Sequence, residues 1–146
     1  MSDAYRVELL TVDGGPTAVI SAGASTVLAD RPVATGGRGL GFNGGQLMYA
    51  SIAACVSNDL YREAATLGII LRRVALTVDG DFPARGQGST PVTVEVDIDG
   101  EAPVERLREL VALVAEIAEI PNSMRGSTLI EIRARNVMAT GGEEAR

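Results

Sequence analysis

Residues 46–67 are the feature that most constrains how this chain can fold. They are predicted to form one long helix whose first half, QLMYASIAACV, is small or apolar on nearly every side. A helix that is apolar all round is expected to be buried all round, and small side chains let another backbone approach closely. Gly68 then fits the position that ends a helix. We therefore expect a central helix that is covered on every face.

The remaining elements are mostly short strands. Strands are predicted at 5–12, 17–22, 25–29, 70–80, 91–98 and 128–138, a second helix at 103–118, and a capped turn at 120–127. The strand at 91–98 is the clearest, since valine and isoleucine alternate strictly with polar residues in PVTVEVDI. Because strands outnumber helices and are not interleaved with them one by one, the pattern predicts an α+β fold with antiparallel sheets rather than a doubly wound α/β fold.

The length of 146 residues predicts a single domain, 1–146, with an ordered core at about 4–137 and a tail at 139–146. A chain of this size can bury enough surface to need neither a disulfide nor a metal for stability.

Composition excludes several kinds of chemistry. The chain has no histidine and no lysine, and it has one cysteine, so a histidine base, a lysine Schiff base, a Cys-rich zinc site and an internal disulfide are all excluded. We expect no cofactor and no metal. The net charge of −6 argues against a nucleic-acid partner. The N-terminus does not resemble a secretory signal and no run approaches the roughly 20 apolar residues of a membrane span, so we expect a soluble cytoplasmic protein without a membrane partner.

Cys55 has two interpretations. It is either a small core residue of the first long helix, or a thiol that this helix delivers to a pocket. Asp59 lies four residues later on the same helical face, and its ionised carboxylate would disfavour a thiolate. A reactive thiol would therefore need a cation, for which Arg38 is the first candidate, Arg31 the second and Arg62 the third.

Two polar segments share this ambiguity. The loop at 35–45 carries six glycines and is either a flexible connector or a loop that brings Arg38 close to a site. The residues Asn58, Asp59, Arg62 and Glu63 are either a solvated helix end or the floor of a pocket in which Asp59 and Arg62 bind a ligand.

Four segments in this order resemble the OsmC/Ohr family of small thiol peroxidases. They are GLGFNGGQLMYASIAAC, the helix end REAATLGI with the strand LRRVALTVDGDF, the strand and helix PVTVEVDIDGEAPVERLRELVALV, and AEIPNSMRGST. The resemblance covers about residues 4–137. It implies an intertwined homodimer in which the two cysteine helices pack centrally and each active site contains residues of both subunits. It also implies reduction of organic hydroperoxides by a thiolate held by an arginine and a glutamate.

The chain departs from the family pattern at three places. Ile120 stands where the family has its second cysteine, Gly45 where it has its glutamate, and Asn43-Gly44 where it has Asn-Pro. Asn122, in the segment where the family has its second cysteine, is a candidate for the same ligand pocket as Asp59 and Arg62.

Two functions follow as alternatives. The first is a one-cysteine hydroperoxide reductase that needs an external thiol, with a Cys55–Cys55 bridge between subunits as a less favoured route. The second is a protein of the same fold without peroxidase chemistry, which binds a small ligand or catalyses another reaction with Asn58, Asp59 and Arg62.

Overall fold

The computed structural model describes residues 5–135. In chain order the strands and helices are β1 (Glu8–Thr11), β2 (Ala18–Ala22), β3 (Ser25–Ala29), α1 (Gly44–Thr66), β4 (Ile70–Asp79), β5 (Thr93–Glu101), α2 (Val104–Ile117) and α3 (Glu119–Arg125). This mixture of helices and antiparallel sheets confirms the predicted fold class. Division into a single domain stays a prediction, and the tail at 139–146 lies outside the described residues.

The strands form two separate antiparallel sheets. β1, β2 and β3 make a three-stranded meander, and β4 pairs with β5 in a long hairpin with an irregularity between Leu71 and Arg73. The first turn of the meander places Asp13 and Gly14 at positive φ, a backbone geometry that aspartate tolerates and glycine favours. The sequence pattern predicted all five of these strands.

A capping box fixes the start of α1. The side chain of Asn43 accepts a hydrogen bond from the Gln46 backbone N–H, and the Gln46 side chain accepts one from the Asn43 N–H. The helix therefore begins at Gly44, two residues before the predicted start. It ends before Gly68, whose φ of 69° is the left-handed geometry that glycine adopts without strain.

The hydrophobic core lies between α1, α2 and the β4–β5 hairpin. The core residues of α1 are Ile52, Val56, Leu60 and Ala64, and those of α2 with the residue after it are Leu110, Val114 and Ala118. Leu60 and Leu110 are each fully buried, which contributes roughly 1.5–3 kcal/mol per side chain.

The other face of α1 is exposed in the single chain. Ala54, Asn58 and Tyr61 lie on it, so the helix is covered on one side only. The expectation of burial on every face is therefore wrong for the isolated chain. No segment within residues 5–135 covers this face.

Two local predictions after α2 are also wrong. Residues 120–127 were predicted to be a turn, but most of them belong to α3, because the Ala118 carbonyl accepts from the Asn122 N–H and starts a new helical turn. Residues 128–135 form no strand, since no neighbouring strand in the described part of the chain offers them backbone partners. Their apolar side chains Leu129, Ile130 and Ile132 are exposed. Residues 136–138 of the predicted strand lie outside the described residues.

None of the helices within residues 5–135 has the length and apolar character needed to cross a membrane.

Candidate functional site

The Cys55 thiol lies against two carboxylates. Cys55 is half-buried near the middle of α1, and its Sγ is 4.0 Å from Asp59 Oδ2 and 3.9 Å from Glu119 Oε2. Asp59 reaches the sulfur because it is one helical turn further along α1. Glu119 reaches it because α3 begins at this residue and packs against α1. The thiol therefore lies at the edge of the hydrophobic core, where it packs against core residues and also borders an ionisable cluster.

Asp59 is a buried carboxylate within the core-facing side of α1. Only 3% of its surface is exposed, and its Oδ1 is 2.9 Å from Arg62 Nη1. Burial raises the pKa of Asp59 above its ordinary value, and the positive charge of Arg62 opposes that rise. The negative charge and the hydrogen bond of Glu119 raise the pKa further, as does the negative charge of Glu63. The Arg62 guanidinium also contacts Glu63 Oε1 at 3.1 Å, so it bridges two acids.

The cluster contains more acids than bases. Among the described residues, Asp59, Glu63 and Glu119 lie near one guanidinium, that of Arg62, which gives a net charge of −2 when all four are ionised. Ligand atoms of Cys55, Asp59 and Glu119 lie within 4.8 Å of one another, a spacing that suits a metal ion. However, one of these three ligands is already ion-paired, and proximity of acids alone does not define a metal site.

The glycine loop is fastened to the first sheet by Asp30. The buried Asp30 side chain accepts hydrogen bonds from the backbone N–H groups of Arg31, Arg38 and Leu40 and from the Thr17 hydroxyl. Burial acts to raise the pKa of this carboxyl, but the hydrogen bonds, that of Leu40 first, outweigh it and hold the pKa below its ordinary value. The loop is thus an anchored segment.

Arg38 lies with the first sheet and not with the thiol of its own chain. Its Nε donates to Thr17 Oγ1 at 3.0 Å, and its Nη1 lies 3.5 Å from Asp13 Oδ2. Contacts of the Arg38 and Arg31 guanidinium groups with Cys55 are absent from residues 5–135. Among the three predicted cations, the structure places only Arg62 in the cluster, through Asp59. Pairing of Arg38 with Cys55 stays a prediction, which a second copy of the chain would have to fulfil.

Within residues 5–135, neither of the two predicted asparagines hydrogen-bonds the thiol. Asn58 is on the exposed face of α1. The Asn122 amide donates to the Glu116 carbonyl at 2.9 Å and its oxygen accepts from Arg125 at 2.5 Å, so it caps the α2–α3 junction. Glu119, which sequence reasoning missed, is the residue of this segment that contacts Cys55. The signal was available, because Glu119 directly precedes the position that the resemblance placed beside the thiol.

An apolar groove runs between α1, β5 and α3. It has a volume of about 600 Å³, and Met48, Ile52, Val94, Pro121, Met124 and Arg125 are among its lining residues. A smaller cavity of about 130 Å³ continues it toward the core and shares Val94, Pro121 and Arg125. Cys55 is not one of the lining residues, although Ile52 and Val56 lie on either side of it in sequence.

Comparisons with known proteins agree on one family. A family model described as OsmC-like protein matches residues 36–133. An OsmC-like protein structure from Mycoplasma pneumoniae is similar, with a TM-score of 0.71, 18% identity and coverage of 86% of this chain and 90% of that chain. The organic hydroperoxide resistance protein OsmC from Legionella pneumophila has a TM-score of 0.62, 23% identity and coverage of 83% and 88%.

A structure from Vibrio cholerae is described as a candidate organic hydroperoxide resistance protein with captopril bound in one of its active sites. It has a TM-score of 0.57 and 25% identity, and the match covers 86% of this chain and 88% of that chain. No curated protein sequence matches this chain.

Proposed function

Because this chain belongs to the OsmC-like protein family, we propose that it reduces organic hydroperoxides with Cys55 as the nucleophile. One observation carries the proposal: the Cys55 sulfur contacts Asp59 and Glu119, groups that can exchange a proton with it. A cysteine that only filled the core would contact apolar atoms alone, whereas Cys55 packs against the core and also contacts two carboxylates. The hydroperoxide resistance proteins among the similar structures support the same class of substrate.

The reaction is a one-cysteine cycle. The Cys55 thiolate attacks one peroxide oxygen, an S–O bond forms while the O–O bond breaks, and the alcohol leaves after taking up a proton. Sulfur is oxidised to the sulfenic acid as the peroxide is reduced. The chain has no second cysteine. An external thiol must therefore condense with the sulfenic acid and release water, and a second thiol must then break the mixed disulfide.

The proposed working form is a homodimer. Two apolar surfaces of the single chain favour it: the exposed face of α1 with Ala54 and Tyr61, and the exposed side chains Leu129, Ile130 and Ile132. A second copy that covers α1 would also be able to bring its own Arg38 toward Cys55. Light scattering at micromolar concentration tests this, and a monomer would contradict it.

The nucleophile is tested by Cys55→Ser, with Ala84→Ser as the control. Ala84 is exposed in the loop between β4 and β5, away from α1, so its variant adds the same hydroxyl group without removing the thiol. We expect stopped-flow consumption of cumene hydroperoxide to be lost in Cys55→Ser and kept in Ala84→Ser. Sulfenic-acid labelling of the wild type at equimolar peroxide should mark Cys55. Unchanged peroxide consumption in Cys55→Ser would refute the proposal.

A second candidate function is binding of a small ligand, or another reaction, at Asn58, Asp59 and Arg62. It is favoured by Arg62, whose side chain is 52% exposed while its partner Asp59 is buried, so that the guanidinium offers free donors to solvent. This alternative predicts a ligand-induced rise in melting temperature that Cys55→Ser keeps and Arg62→Met loses. The first proposal predicts instead that Cys55→Ser abolishes the activity.

A further inference from the structure

The charges around Cys55 determine where its proton can go. Within residues 5–135, two carboxylates contact the thiol, that of Asp59 from α1 and that of Glu119 from α3. Two further charged groups of α1, Arg62 and Glu63, lie near Asp59. If Cys55 released its proton to solvent, a fourth negative charge would join three carboxylates and one guanidinium. If a neighbouring carboxylate took the proton instead, the net charge of the cluster would not change. The second route avoids the electrostatic cost of the first.

We propose that Glu119 takes the proton from the Cys55 thiol and returns it to the alkoxide that leaves the peroxide. This inference rests on the proposed function and adds a catalytic residue to it. In the first step the S–H bond breaks and an O–H bond forms on Glu119 Oε2, which is 3.9 Å from Sγ. In the second step thiolate attacks the peroxide, the O–O bond breaks, and the Glu119 proton passes to the departing alkoxide. The sum is Cys–SH plus ROOH giving Cys–SOH plus ROH, with Glu119 ionised again.

Glu119 suits this role better than Asp59. Asp59 Oδ1 is bound by Arg62 at 2.9 Å, and protonation of Asp59 would weaken that ion pair. Glu119 has no ion pair among the salt bridges of the described residues, so a proton on it breaks none. Glu119 is also exposed, whereas Asp59 is buried, so a peroxide that approaches from solvent meets Glu119 beside the half-buried Cys55. Asp59 acts as a positioning residue, because it contacts the sulfur at 4.0 Å and holds the Arg62 guanidinium.

The test uses two reactions of the same thiol. Alkylation by iodoacetamide needs a thiolate, and its iodide leaving group needs no proton. Peroxide reduction needs both a thiolate and a proton for the alkoxide. Removing the charge and the proton-carrying oxygen of Glu119 should therefore move the two rates in opposite directions, which a merely structural role would not do.

The variant is Glu119→Gln and its matched control is Glu116→Gln, another exposed glutamate three residues earlier. In single-turnover measurements at pH 7, we expect Glu119→Gln to slow sulfenic-acid formation by on the order of 10²-fold, the low end of general acid–base effects. We expect it to speed alkylation about five-fold, since a unit negative charge about 4 Å from the sulfur is removed. Glu116→Gln should change neither rate by more than about two-fold, as a solvated charge outside the cluster is screened.

The outcomes separate this inference from the proposed function. The inference is overturned if Glu119→Gln leaves the Cys55-dependent reduction of peroxide unchanged, or if it speeds both peroxide reduction and alkylation. In either case Glu119 carries no proton, and the proposed peroxidase function is kept. If the wild type shows no reduction that depends on Cys55, both are overturned.

Discussion

Replacing Arg62 by methionine tests whether the ion pair with Asp59 stabilises a buried charge. The substitution keeps the length and apolar stem of the side chain and removes the guanidinium that lies 2.9 Å from Asp59 Oδ1. Asp59, which is 3% exposed, then remains beside Glu119 without a cation. Leaving a buried carboxylate unpaired is one of the few ways in which a single substitution costs considerable stability.

The separation of the charges sets the size of the effect. At 2.9 Å, Coulomb's law gives about 1.4 kcal/mol in a water-like dielectric and about 5.7 kcal/mol at an effective dielectric of 20. Arg62 is 52% exposed, so solvent screens the pair strongly and the lower figure applies. We therefore expect Arg62→Met to lower the free energy of unfolding by about 1–2 kcal/mol at pH 7.

The effect should depend on pH in a defined direction. The pKa of Asp59 is raised above its ordinary value of 3.8 in the folded protein, and loss of Arg62 raises it further, because that charge opposes the rise. An acid with a raised folded pKa binds more protons when folded, so stability falls as pH rises from the unfolded to the folded pKa. Below pH 3.8 Asp59 is protonated in both proteins and the difference between them is small. It grows as pH rises and is complete above the pKa that Asp59 has in the variant.

Urea unfolding followed by far-UV circular dichroism measures this, since the chain has no tryptophan. Protein concentration is held fixed because dimerisation would contribute to stability. The matched control is Arg72→Met, which breaks the Arg72–Glu101 pair on the surface, where both side chains are more than half exposed. It should cost less than about 1 kcal/mol. Equal losses in the two variants, or a loss in Arg62→Met that does not depend on pH, would refute the reasoning.

Three further predictions concern the scaffold. Leu110→Ala, at a fully buried position, should cost about 2–5 kcal/mol in urea unfolding, whereas Val104→Ala at an exposed position should cost less than about 1 kcal/mol. Asp30→Ala should lower the melting temperature at pH 7, because the ionised Asp30 carboxylate stabilises the loop. The difference in melting temperature from the wild type should become smaller as pH falls through the lowered pKa of Asp30. Gly37→Ala should destabilise the protein because the added Cβ would overlap the backbone carbonyl of Arg31, whereas Gly88→Ala, where the space is open, should not. Similar melting temperatures for the two variants would contradict the packing of the loop.

The sequence predicted those elements whose pattern is complete within one chain. The strict alternation of PVTVEVDI matches β5, where Val96 and Ile98 are more buried than Asp97 and Asp99. The second long helix was found because its apolar residues recur at helical spacing, and the first because small and apolar residues run nearly all round it. The start of α1 was missed by two residues, since Asn43 and Gln46 were not recognised as a capping box.

The site was harder to predict because its members meet through tertiary packing. Asp59 and Arg62 were accessible to sequence reasoning, because helical spacing alone places them near Cys55 and near each other. Glu119 was not accessible from helical spacing, since its contact depends on a short helix that the sequence pattern presented as a turn; only the family resemblance pointed to its segment. The segment predicted to be a strand after α3 has alternating apolar residues but no pairing strand within residues 5–135. Alternation in the sequence cannot reveal whether a pairing strand exists.

The position of Asp59 bears on whether Cys55 is reactive. Asp59 occupies the same buried side of α1 as Ile52, Val56 and Leu60, a side on which an apolar residue would be more stable. A carboxylate there raises the energy of the folded chain, and the half-exposed Arg62 compensates for it only in part. Such local violations of the apolar pattern are expected at functional sites. A protein in which Cys55 served only to fill space would gain stability from Asp59→Leu and lose no activity. The proposed peroxidase would gain stability but reduce peroxide more slowly, because the carboxylate that contacts the Cys55 sulfur and holds Arg62 is removed. Measuring unfolding and the single-turnover peroxide rate on that variant therefore decides between the two interpretations of the thiol.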